Sequence, residues 1–282
     1  MAAVEGLAER ARTILVTSGK GGVGKSNISL NLALAARRLG RTVLLLDADL
    51  GLGNADILAG VSPRHHLADV LHGRCSLAEA VVPGPGGIDL LAGGNGLVDL
   101  PPLDGIRWRK VLSEVARRDW QLVIVDGGAG LTGPVRPQLV AARELLVVTT
   151  GEPTSMADAY AVIKLVATHN PGARLWLVAN QVRDEREGRA VCERLAAVCA
   201  TFLGVQVQYL GSVPFDAHLR AAVRRQVPLL AVAPGSPAAR AILTMAARLL
   251  GLPAPATGGL LAFMARLGIP ALKRGGAVAA QD

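Results

Sequence analysis

Short apolar runs alternate with longer amphipathic stretches along most of this chain. Runs such as Val43–Leu46 are apolar at every position, which is typical of parallel strands buried on both faces. Such runs predict strands at Thr13–Thr17, Thr42–Asp47, Ile88–Leu91, Gln121–Asp126, Glu144–Thr149, Arg174–Asn180 and Gln206–Leu210. Helices are predicted between them, at Asn27–Leu39, Asp104–Arg118, Pro153–Thr168 and Glu185–Leu203. The alternation predicts an α/β fold, with a doubly wound, mostly parallel sheet and helices on both faces.

Proline and glycine positions divide the chain into one large domain and shorter flanks. The chain has 282 residues, of which 51% are apolar, enough for a sizeable core. We predict an N-terminal segment over 1–11, a folded domain over 12–250, a linker over 251–258, a helix over 259–274 and a tail over 275–282. Within the domain, Pro83–Gly87 is predicted as a loop.

Positive charge is concentrated toward the C-terminus. The net charge is +8, and residues 217–282 carry eight basic residues and a single acid. Such a region favours an anionic partner, either lipid or nucleic acid, although a solvated basic face is the alternative. Aromatic residues make up only 3% of the chain, which argues against a stacking platform for single-stranded nucleic acid.

Hydropathy and cysteine spacing indicate a cytoplasmic protein. The chain contains no run of eighteen apolar residues and no N-terminal signal sequence. Its three cysteines, Cys75, Cys192 and Cys199, form no C-x-x-C pair, which argues against a disulfide framework or a structural zinc site. Cys192 and Cys199 lie seven residues apart on a predicted helix, and we expect them to pack in the core.

The segment Gly19–Ser26 fits the phosphate-binding pattern G-x-x-x-x-G-K-[ST], and it lies between a predicted strand and a predicted helix. Its glycines let backbone N–H groups converge on an anion, and the helix N-terminus adds further donors. Lys25 places a full charge on the β- and γ-phosphates, and the Ser26 hydroxyl is a hard ligand suited to Mg²⁺. The alternative is a glycine-rich turn that binds nothing.

Polar residues follow several predicted strands, where ligand sites of α/β sheets gather. Asp47 and Asp49 follow the second strand, Asp126 ends the fourth, and Asn180 ends a later one. The sequence Pro214-Phe215-Asp216 follows the last strand. Any one aspartate could be a turn or helix cap, but together with the phosphate-binding loop they indicate one nucleotide pocket.

Three motifs in combination resemble those of the MinD/ParA ATPases. Lys20 with Lys25 gives K-G-G-V-G-K-S, which resembles the deviant Walker A motif of that family. Asp47–Asp56 is similar to its switch I, and Asp126–Gly130 is similar to its switch II. The resemblance covers roughly residues 12 to 250, so the predicted domain is interpreted as a MinD/ParA-like ATPase domain.

A narrower resemblance is to the flagellar-number regulators of the FlhG/FleN type within that family. It rests on five segments outside the nucleotide motifs, namely Pro63–Leu77, Glu152–Tyr160, Glu187–Ala190, Tyr209–Gly211 and Arg220–Gln226. The N-terminal D-Q-A-x-x-L-R segment of those regulators, which stimulates the flagellar GTPase FlhF, is not kept. The corresponding residues 2–8 preserve only its leucine.

The resemblance implies a slow ATPase that is stimulated by a partner or by dimerisation, with ATP sandwiched in a homodimer. Lys20, Lys25 and Asp49 are its implied catalytic residues, with Lys20 reaching the partner's phosphates and Asp49 orienting water. Mg²⁺ is implied at Ser26, Asp47 and Asp126, the aspartates acting through water. The implied ATP-binding residues are Gly21, Gly22, Val23, Gly24, Lys25, Ser26, Asn27, Asn180, Pro214, Phe215 and Asp216.

The predicted C-terminal helix has an amphipathic pattern. Leu260, Phe263, Met264 and Leu267 follow the spacing i, i+3, i+4, i+7 and share one helical face. Such a face, with nearby cations, suits an interfacial helix on an anionic membrane surface. The alternative is a helix that docks on its own domain.

These patterns lead to one main functional hypothesis and two alternatives. The first is a cytoplasmic ATPase switch, peripherally associated with the inner face of the cell membrane, that regulates flagellar number or placement. Its implied partners are FlhF, a flagellar transcription regulator and switch-complex proteins. The alternatives are a ParA-like segregation ATPase with DNA as its partner and a MinD-like ATPase that positions the division site. A metal-cluster carrier would need paired cysteines.

Overall fold

The computed structural model describes residues 11–50, 53–94, 105–131, 133 and 135–253. The predicted segment 1–11 falls outside these ranges except for its last residue, and so does most of the predicted linker. The predicted helix over 259–274 and the tail over 275–282 lie wholly outside the described residues.

The described strands form a single eight-stranded sheet in the order β3-β4-β2-β5-β1-β6-β7-β8. In chain order these strands are β1 (Arg12–Ser18), β2 (Val43–Asp47), β3 (Val82–Pro83), β4 (Asp89–Leu91), β5 (Leu122–Ala129), β6 (Glu144–Thr149), β7 (Arg174–Val182) and β8 (Val207–Pro214). Every pairing is parallel except that of β3 with β4. The predicted doubly wound, mostly parallel α/β sheet is confirmed.

Helices of very different lengths connect these strands. The longest are α1 (Lys25–Arg38), α5 (Gly105–Ala116), α7 (Pro153–His169), α8 (Glu185–Leu203) and α11 (Pro237–Leu249). Shorter ones are α2 (Ala55–Ala59), α3 (Leu67–His72), α4 (Leu77–Ala80), α6 (Val135–Ala141), α9 (Ala217–Arg224) and α10 (Leu229–Val232), with a 3₁₀ turn at Pro85–Gly87.

The core lies on both faces of the sheet. On one face, Leu32 and Leu34 of α1 belong to the same buried cluster as Ile242 of α11. On the other face, helices α7 and α8 pack together in a second cluster, which contains the buried thiols of Cys192 and Cys199 as expected. A third cluster lies under α3, α4 and α5. Burial on both faces explains why the strand segments are continuously apolar.

Several predicted boundaries differ from the observed ones. Strand β5 continues past Asp126 to Ala129 because its extension pairs with Ser18 of β1. Strand β8 continues to Pro214, which pairs with Val182 of β7. The prediction of a loop over Pro83–Gly87 is wrong at Pro83, which pairs with Asp89 in an antiparallel strand. A proline is tolerated there because β3 is an edge strand.

Two glycines set the spacing around β8. A Cβ built on Gly188 of α8 would lie 2.2 Å from the Cβ of Ser212, and one on Gly211 would lie 2.5 Å from Cγ of Met245 in α11. The helices on both sides of this edge strand therefore approach it as closely as glycine allows. The guanidinium of Arg189 lies 4.6 Å from the ring centroid of Tyr209. Two of the flagellar-type segments thus meet each other in the fold.

Candidate functional site

The candidate site lies at the carboxyl end of the central strands, which the parallel sheet brings to one edge. The loop after β1 enters α1 there, and β1 is flanked by β5 and β6. Asp47 at the end of β2 pairs in register with Asp126 of β5. The topology therefore places two carboxylates from separate motifs beside the glycine-rich loop.

The loop has the backbone geometry of an anion cradle. Gly22 and Gly24 have φ values of 80° and 88°, in the left-handed region that favours glycine. A Cβ on Gly21 or Gly22 would have no described atom within 4 Å, so these positions face open space. No described side chain caps the N-terminus of α1 at Gly24. The first-turn N–H groups of α1 are therefore available to an anion.

Lys25 is buried and paired with Asp126. Its Nζ lies 2.9 Å from Asp126 Oδ1, which also accepts a hydrogen bond of 2.9 Å from Ser29 Oγ. The second oxygen of Asp126, Oδ2, is buried and has no hydrogen-bond partner among the described residues. Lys25 Nζ also lies 3.4 Å from Ser26 Oγ. The loop, the lysine and the carboxylate thus form one connected cluster.

Asp47 is fully buried and fastens the start of switch I. Its Oδ1 accepts a hydrogen bond of 3.0 Å from the Asp49 N–H, and its Oδ2 accepts one of 3.1 Å from the Ala55 N–H. Burial, and next the negative charge of Asp126, raise the pKa of Asp47 to about 7. A site that raises this pKa favours a bound cation or a proton at Asp47.

These residues fit a magnesium ion as the family resemblance implied. Mg²⁺ prefers hard oxygen ligands and usually keeps several waters, binding through one or two carboxylates and substrate phosphates. Asp47, Asp126 and Ser26 supply such oxygens, and Asp126 Oδ2 is an unsatisfied acceptor. Within the described ranges no group of three or more His, Cys, Asp and Glu side chains could hold a metal ion, and this site offers only two carboxylates beside the Ser26 hydroxyl.

Asp49 lies beside switch II. A Cβ built on Gly128 would lie 3.8 Å from Asp49 Oδ1, so the carboxylate stands next to the extension of β5. The residues that follow Leu50, at positions 51 and 52, lie outside the described ranges. The structure therefore places Asp49 beside the switch II part of β5.

Lys20 is exposed and lies apart from the buried cluster. Its Nζ is 3.2 Å from Glu152 Oε2, at the start of α7. A Cβ on the preceding Gly19 would lie 2.2 Å from the carbonyl oxygen of Asp158. Glu152 and Asp158 both belong to the flagellar-type segment Glu152–Tyr160, which therefore abuts the loop. The sequence distinguishes this segment, but its contact with Lys20 was not predicted.

A pocket of about 810 Å³ opens beside the loop. Gly24, Asn27, Asn180 and the three residues Pro214, Phe215 and Asp216 all line it. Asn180 Nδ2 donates to the Val23 carbonyl at 2.7 Å, while its Oδ1 is buried without a partner among the described atoms. The structure thus brings residues that the resemblance implied for ATP binding, from three separate parts of the chain, to one pocket.

Asp216 stabilises the structure around this pocket. Its carboxylate accepts hydrogen bonds from the His218 N–H at 2.8 Å and the Ala238 N–H at 3.0 Å. Burial by itself would raise the pKa of Asp216, but these hydrogen bonds outweigh it and lower the pKa. The side chain therefore caps α9 and ties it to α11, and it shapes the pocket through this role.

Several pocket and loop residues were not predicted from the sequence. Ser29 shares Asp126 with Lys25, and Gln181, Arg220 and Arg224 line the pocket. Ser29 could not be recognised from the sequence, because a buried serine in an apolar helix has the same pattern as an ordinary core residue. For the arginines, a basic run on an exposed helix resembles a solvated face.

The predicted membrane-contacting residues cannot be placed in this way. Leu260, Phe263, Met264 and Leu267 lie outside the described residues. Within the part of the chain that is described, no helix is both long and apolar enough to cross a bilayer.

Comparison with known proteins agrees with this geometry. Residues 14–229 match the family described as the CobQ/CobB/MinD/ParA nucleotide binding domain. The antiactivator FleN of Pseudomonas aeruginosa is 40% identical over 91% of this chain and 93% of its own length. The flagellum site-determining protein YlxH of Helicobacter pylori is 35% identical over 78% of this chain and 76% of its own length.

Solved structures agree as well. The MinD cell division protein of Aquifex aeolicus is 29% identical and superimposes with a TM-score of 0.72. The match covers 87% of this chain and 99% of that protein. Because the family match spans well over half of the chain and the relatives cover most of it, the assignment does not depend on the loop motif alone. The chain belongs to the CobQ/CobB/MinD/ParA family of nucleotide-binding proteins, and its motifs are those of the MinD/ParA ATPases.

Proposed function

We propose that this protein is an ATP-hydrolysing switch that dimerises around ATP, associates with a membrane surface and regulates the number or placement of flagella. Its membership in a family of ATPases supports the hydrolytic part. The two flagellar relatives, an antiactivator and a site-determining protein, support the regulatory part. The proposal rests most directly on the cluster of Lys25, Ser29 and Asp126 beside an open glycine loop.

Lys25 is the residue that changes partner in this proposal. With phosphate in the loop, its ammonium group transfers from Asp126 to the β- and γ-phosphate oxygens, where a full positive charge stabilises the triphosphate. The amide groups of Gly21 to Ser26 donate to the same oxygens. Asp126 then loses its cation but keeps the hydrogen bond from Ser29 at Oδ1, and its Oδ2 is free to accept from another donor.

Magnesium, when bound, would neutralise negative charge on the phosphate oxygens and so stabilise ADP as the leaving group. Ser26, Asp47 and Asp126 are the residues that would hold it, the aspartates through water. Asp47 would lose the proton that its raised pKa favours, since a nearby cation stabilises the carboxylate. Asp49 would orient the attacking water from its position beside Gly128.

Lys20 extends the site to a second subunit. Its exposed side chain lies on the rim of the loop and pairs only with the exposed Glu152 among the described residues. In a homodimer it would leave Glu152 and reach the partner's phosphates, as an arginine finger does in trans. Hydrolysis would remove the charge that holds Lys20 and so return the dimer to monomers.

The C-terminal helix would couple dimerisation to location. Its apolar face of Leu260, Phe263, Met264 and Leu267 would enter an anionic membrane surface, and two helices in a dimer would bind with useful avidity. FlhF, a flagellar transcription regulator and switch-complex proteins remain the proposed partners. The domain boundaries and the linker that this arrangement needs are those predicted above.

Two measurements test the proposal. The first compares ATP hydrolysis and ATP-dependent liposome sedimentation for wild type and Lys25→Ala, and we expect the variant to lose both. The second counts flagella in cells that carry Lys25→Ala, and we expect altered number or placement. A hydrolytically dead variant with normal flagella would reject the regulatory role, whereas equal liposome binding with ATP and ADP would reject the switch.

A DNA-segregation role is the alternative that one observation favours. Arg220, Arg224 and Arg225 are all exposed on or just after α9. If they bind DNA, affinity for non-specific duplex should require ATP and fall steeply with salt, and it should fall when the arginines are removed. A salt-independent or ATP-independent association would remove this alternative.

A further inference from the structure

One wall of the pocket beside the phosphate loop is cationic. Arg220 and Arg224 both line the pocket, and their i, i+4 spacing places them on one side of α9. Gly24, Asn27 and Asn180 line the same pocket. The ATP-switch proposal has so far given no role to these two arginines.

An exposed aromatic ring lies at the base of the same wall. Phe215 retains 60% of its accessible surface, which is unusual for so large an apolar side chain. The guanidinium carbon of Arg220 lies 5.6 Å from its ring centroid, within the range of a cation–π contact. The two side chains therefore present an adjoining aromatic and guanidinium surface to the pocket.

Backbone contacts hold this pair in place. The Phe215 N–H donates to the Val182 carbonyl at 2.7 Å, which ties the residue to the end of β7. The neighbouring Asp216 caps α9 through the His218 N–H, so the helix that carries Arg220 starts at a fixed point. A surface preorganised in this way loses little entropy when a flat ligand stacks on it.

Arg220 has no acidic partner in the part of the chain that the structure describes. Among the described residues, no carboxylate lies within 4.0 Å of the guanidinium nitrogens of Arg220 or Arg224. A planar, electron-rich ligand with ring-nitrogen acceptors suits such a surface, because guanidinium and aromatic groups both stack on nucleobases. The triphosphate in the adjacent loop would deliver a purine to this position.

We infer that Arg220, with Phe215, forms the stacking platform for the purine base of the bound nucleotide. This inference rests on the proposed ATP binding and adds a residue that determines affinity through the base. Arg220 then contributes to binding of ATP but not to binding of a polyphosphate that has no base. This difference separates stacking from a general attraction of anions to a basic helix.

The experiment measures equilibrium binding of two probes, ATP with Mg²⁺ and inorganic tripolyphosphate with Mg²⁺. The variants are Arg220→Ala, Arg220→Lys and the matched control Arg225→Ala, which removes the same charge from a neighbouring exposed residue outside the pocket lining. A stacked base is worth about 1–3 kcal/mol, so Arg220→Ala should weaken ATP binding by about five- to tenfold or more. Binding of tripolyphosphate should stay within about twofold, since loss of one exposed charge costs little.

The comparison of variants distinguishes stacking on the base from a general attraction of the phosphates to positive charge. Arg220→Lys keeps the positive charge but loses the planar guanidinium group that would stack on the base. It should therefore weaken ATP binding nearly as much as Arg220→Ala. Equal ATP affinities for Arg220→Ala and Arg225→Ala would overturn the inference, and so would parallel losses for ATP and tripolyphosphate. If wild type binds neither probe, the proposed nucleotide function itself fails, which is a different outcome from a failure confined to Arg220.

Discussion

At the residue scale, two aspartates lie in register on neighbouring strands, and one of them pairs with a buried lysine. Asp126 holds Lys25 at 2.9 Å, and Asp47 lies beside it in register with backbone N–H groups as its direct partners. Because Asp47 is buried next to a carboxylate, its charged form is disfavoured in the ligand-free protein, and its pKa rises to about 7. Binding of a proton or a cation at Asp47 is therefore favoured in this site.

This preference predicts how the stability of the ligand-free protein depends on pH. The pKa of Asp47 is about 7 when folded and 3.8 for the unperturbed group, so the folded state binds more protons between these values. Its contribution to the free energy of unfolding therefore decreases as pH rises from about 4 to about 7. We expect Asp47→Asn to reduce this decrease by at least about 1 kcal/mol, or about 2–4 °C in Tm.

Denaturation at pH 5 and pH 8 without nucleotide or magnesium measures the effect as a slope, whatever the absolute stability of the variant. Asp216→Asn is the control, and it should leave the slope between pH 5 and pH 8 at the wild-type value, because the pKa of Asp216 is lowered in the folded state. Its stabilising contribution is present above pH 4 and is lost as the pH falls. An Asp47→Asn slope identical to that of wild type would contradict the raised pKa.

The ion pair of Lys20 with Glu152 gives a second prediction at this scale. If Lys20 must leave Glu152 to reach a partner's phosphates, Glu152→Gln should strengthen ATP-dependent dimerisation. Exposed ion pairs are worth about 0.2–1 kcal/mol and two are broken in each dimer, so the dimer dissociation constant should fall by about twofold to thirtyfold. Analytical ultracentrifugation with a slowly hydrolysed ATP analogue measures this constant.

A matched control is Glu185→Gln, which removes a similarly exposed ion pair, with Arg189, at 3.6 Å on α8. It should leave the dimer constant unchanged. Both variants should unfold close to the wild-type temperature. If Glu152→Gln weakens dimerisation, Glu152 is part of the dimer contact and does not restrain Lys20.

At the element scale, the packing of α8 on β8 depends on the absence of one Cβ. A methyl group on Gly188 would lie 2.2 Å from Ser212 Cβ and 2.6 Å from its Oγ, and the nearest atoms leave no room for a rotamer change. We therefore expect Gly188→Ala to move α8 away from the sheet and to destabilise the fold by about 1–3 kcal/mol. Thermal or urea denaturation measures the loss.

Gly172→Ala is the control for this prediction. A Cβ on Gly172 would have no described atom within 4 Å, and its φ is not in the left-handed region. The substitution should be neutral or slightly stabilising, because alanine restricts the unfolded chain. Equal stabilities of the two variants would show that α8 can shift without cost.

Sequence predicted the long elements better than their connections. Helix Glu185–Leu203 and strand Glu144–Thr149 have the predicted bounds. The pattern of apolar residues in each is long enough to identify the element from the sequence. The short helices α2, α4 and α10 span four or five residues, too few for a 3.6-residue period. The ends of β5 and β8 depend on hydrogen bonds to β1 and β7, which sequence alone does not reveal.

The candidate site divides in the same way. The phosphate loop and the strand-end aspartates could be predicted, because each motif is local and the parallel sheet brings strand ends together. The pairs that organise the site are remote in sequence. Lys20 and Glu152 are 132 residues apart, and Asn180 and Val23 are 157 apart. Nothing in a local pattern records such contacts.

At the scale of the whole molecule, the two lysines of the loop differ in burial and in partner. Lys25 is buried within one chain, whereas Lys20 is exposed on the rim of the loop. Nucleotide binding within one subunit should therefore depend on Lys25, and association of two subunits should depend on Lys20. Thermal unfolding distinguishes the two, because a ligand stabilises by mass action and a dimer makes Tm depend on protein concentration.

We expect a slowly hydrolysed ATP analogue with Mg²⁺ at about 100 times its Kd to stabilise wild type by about 2.7 kcal/mol, raising Tm by about 5–10 °C. The rise should grow with protein concentration. Lys20→Ala should keep most of the rise and lose its dependence on concentration, because its loop still holds phosphate but cannot cross to a partner. Lys25→Ala should lose both effects. A Lys20→Ala protein whose Tm still rises with concentration would dimerise without this lysine, and the site would then be complete within one chain.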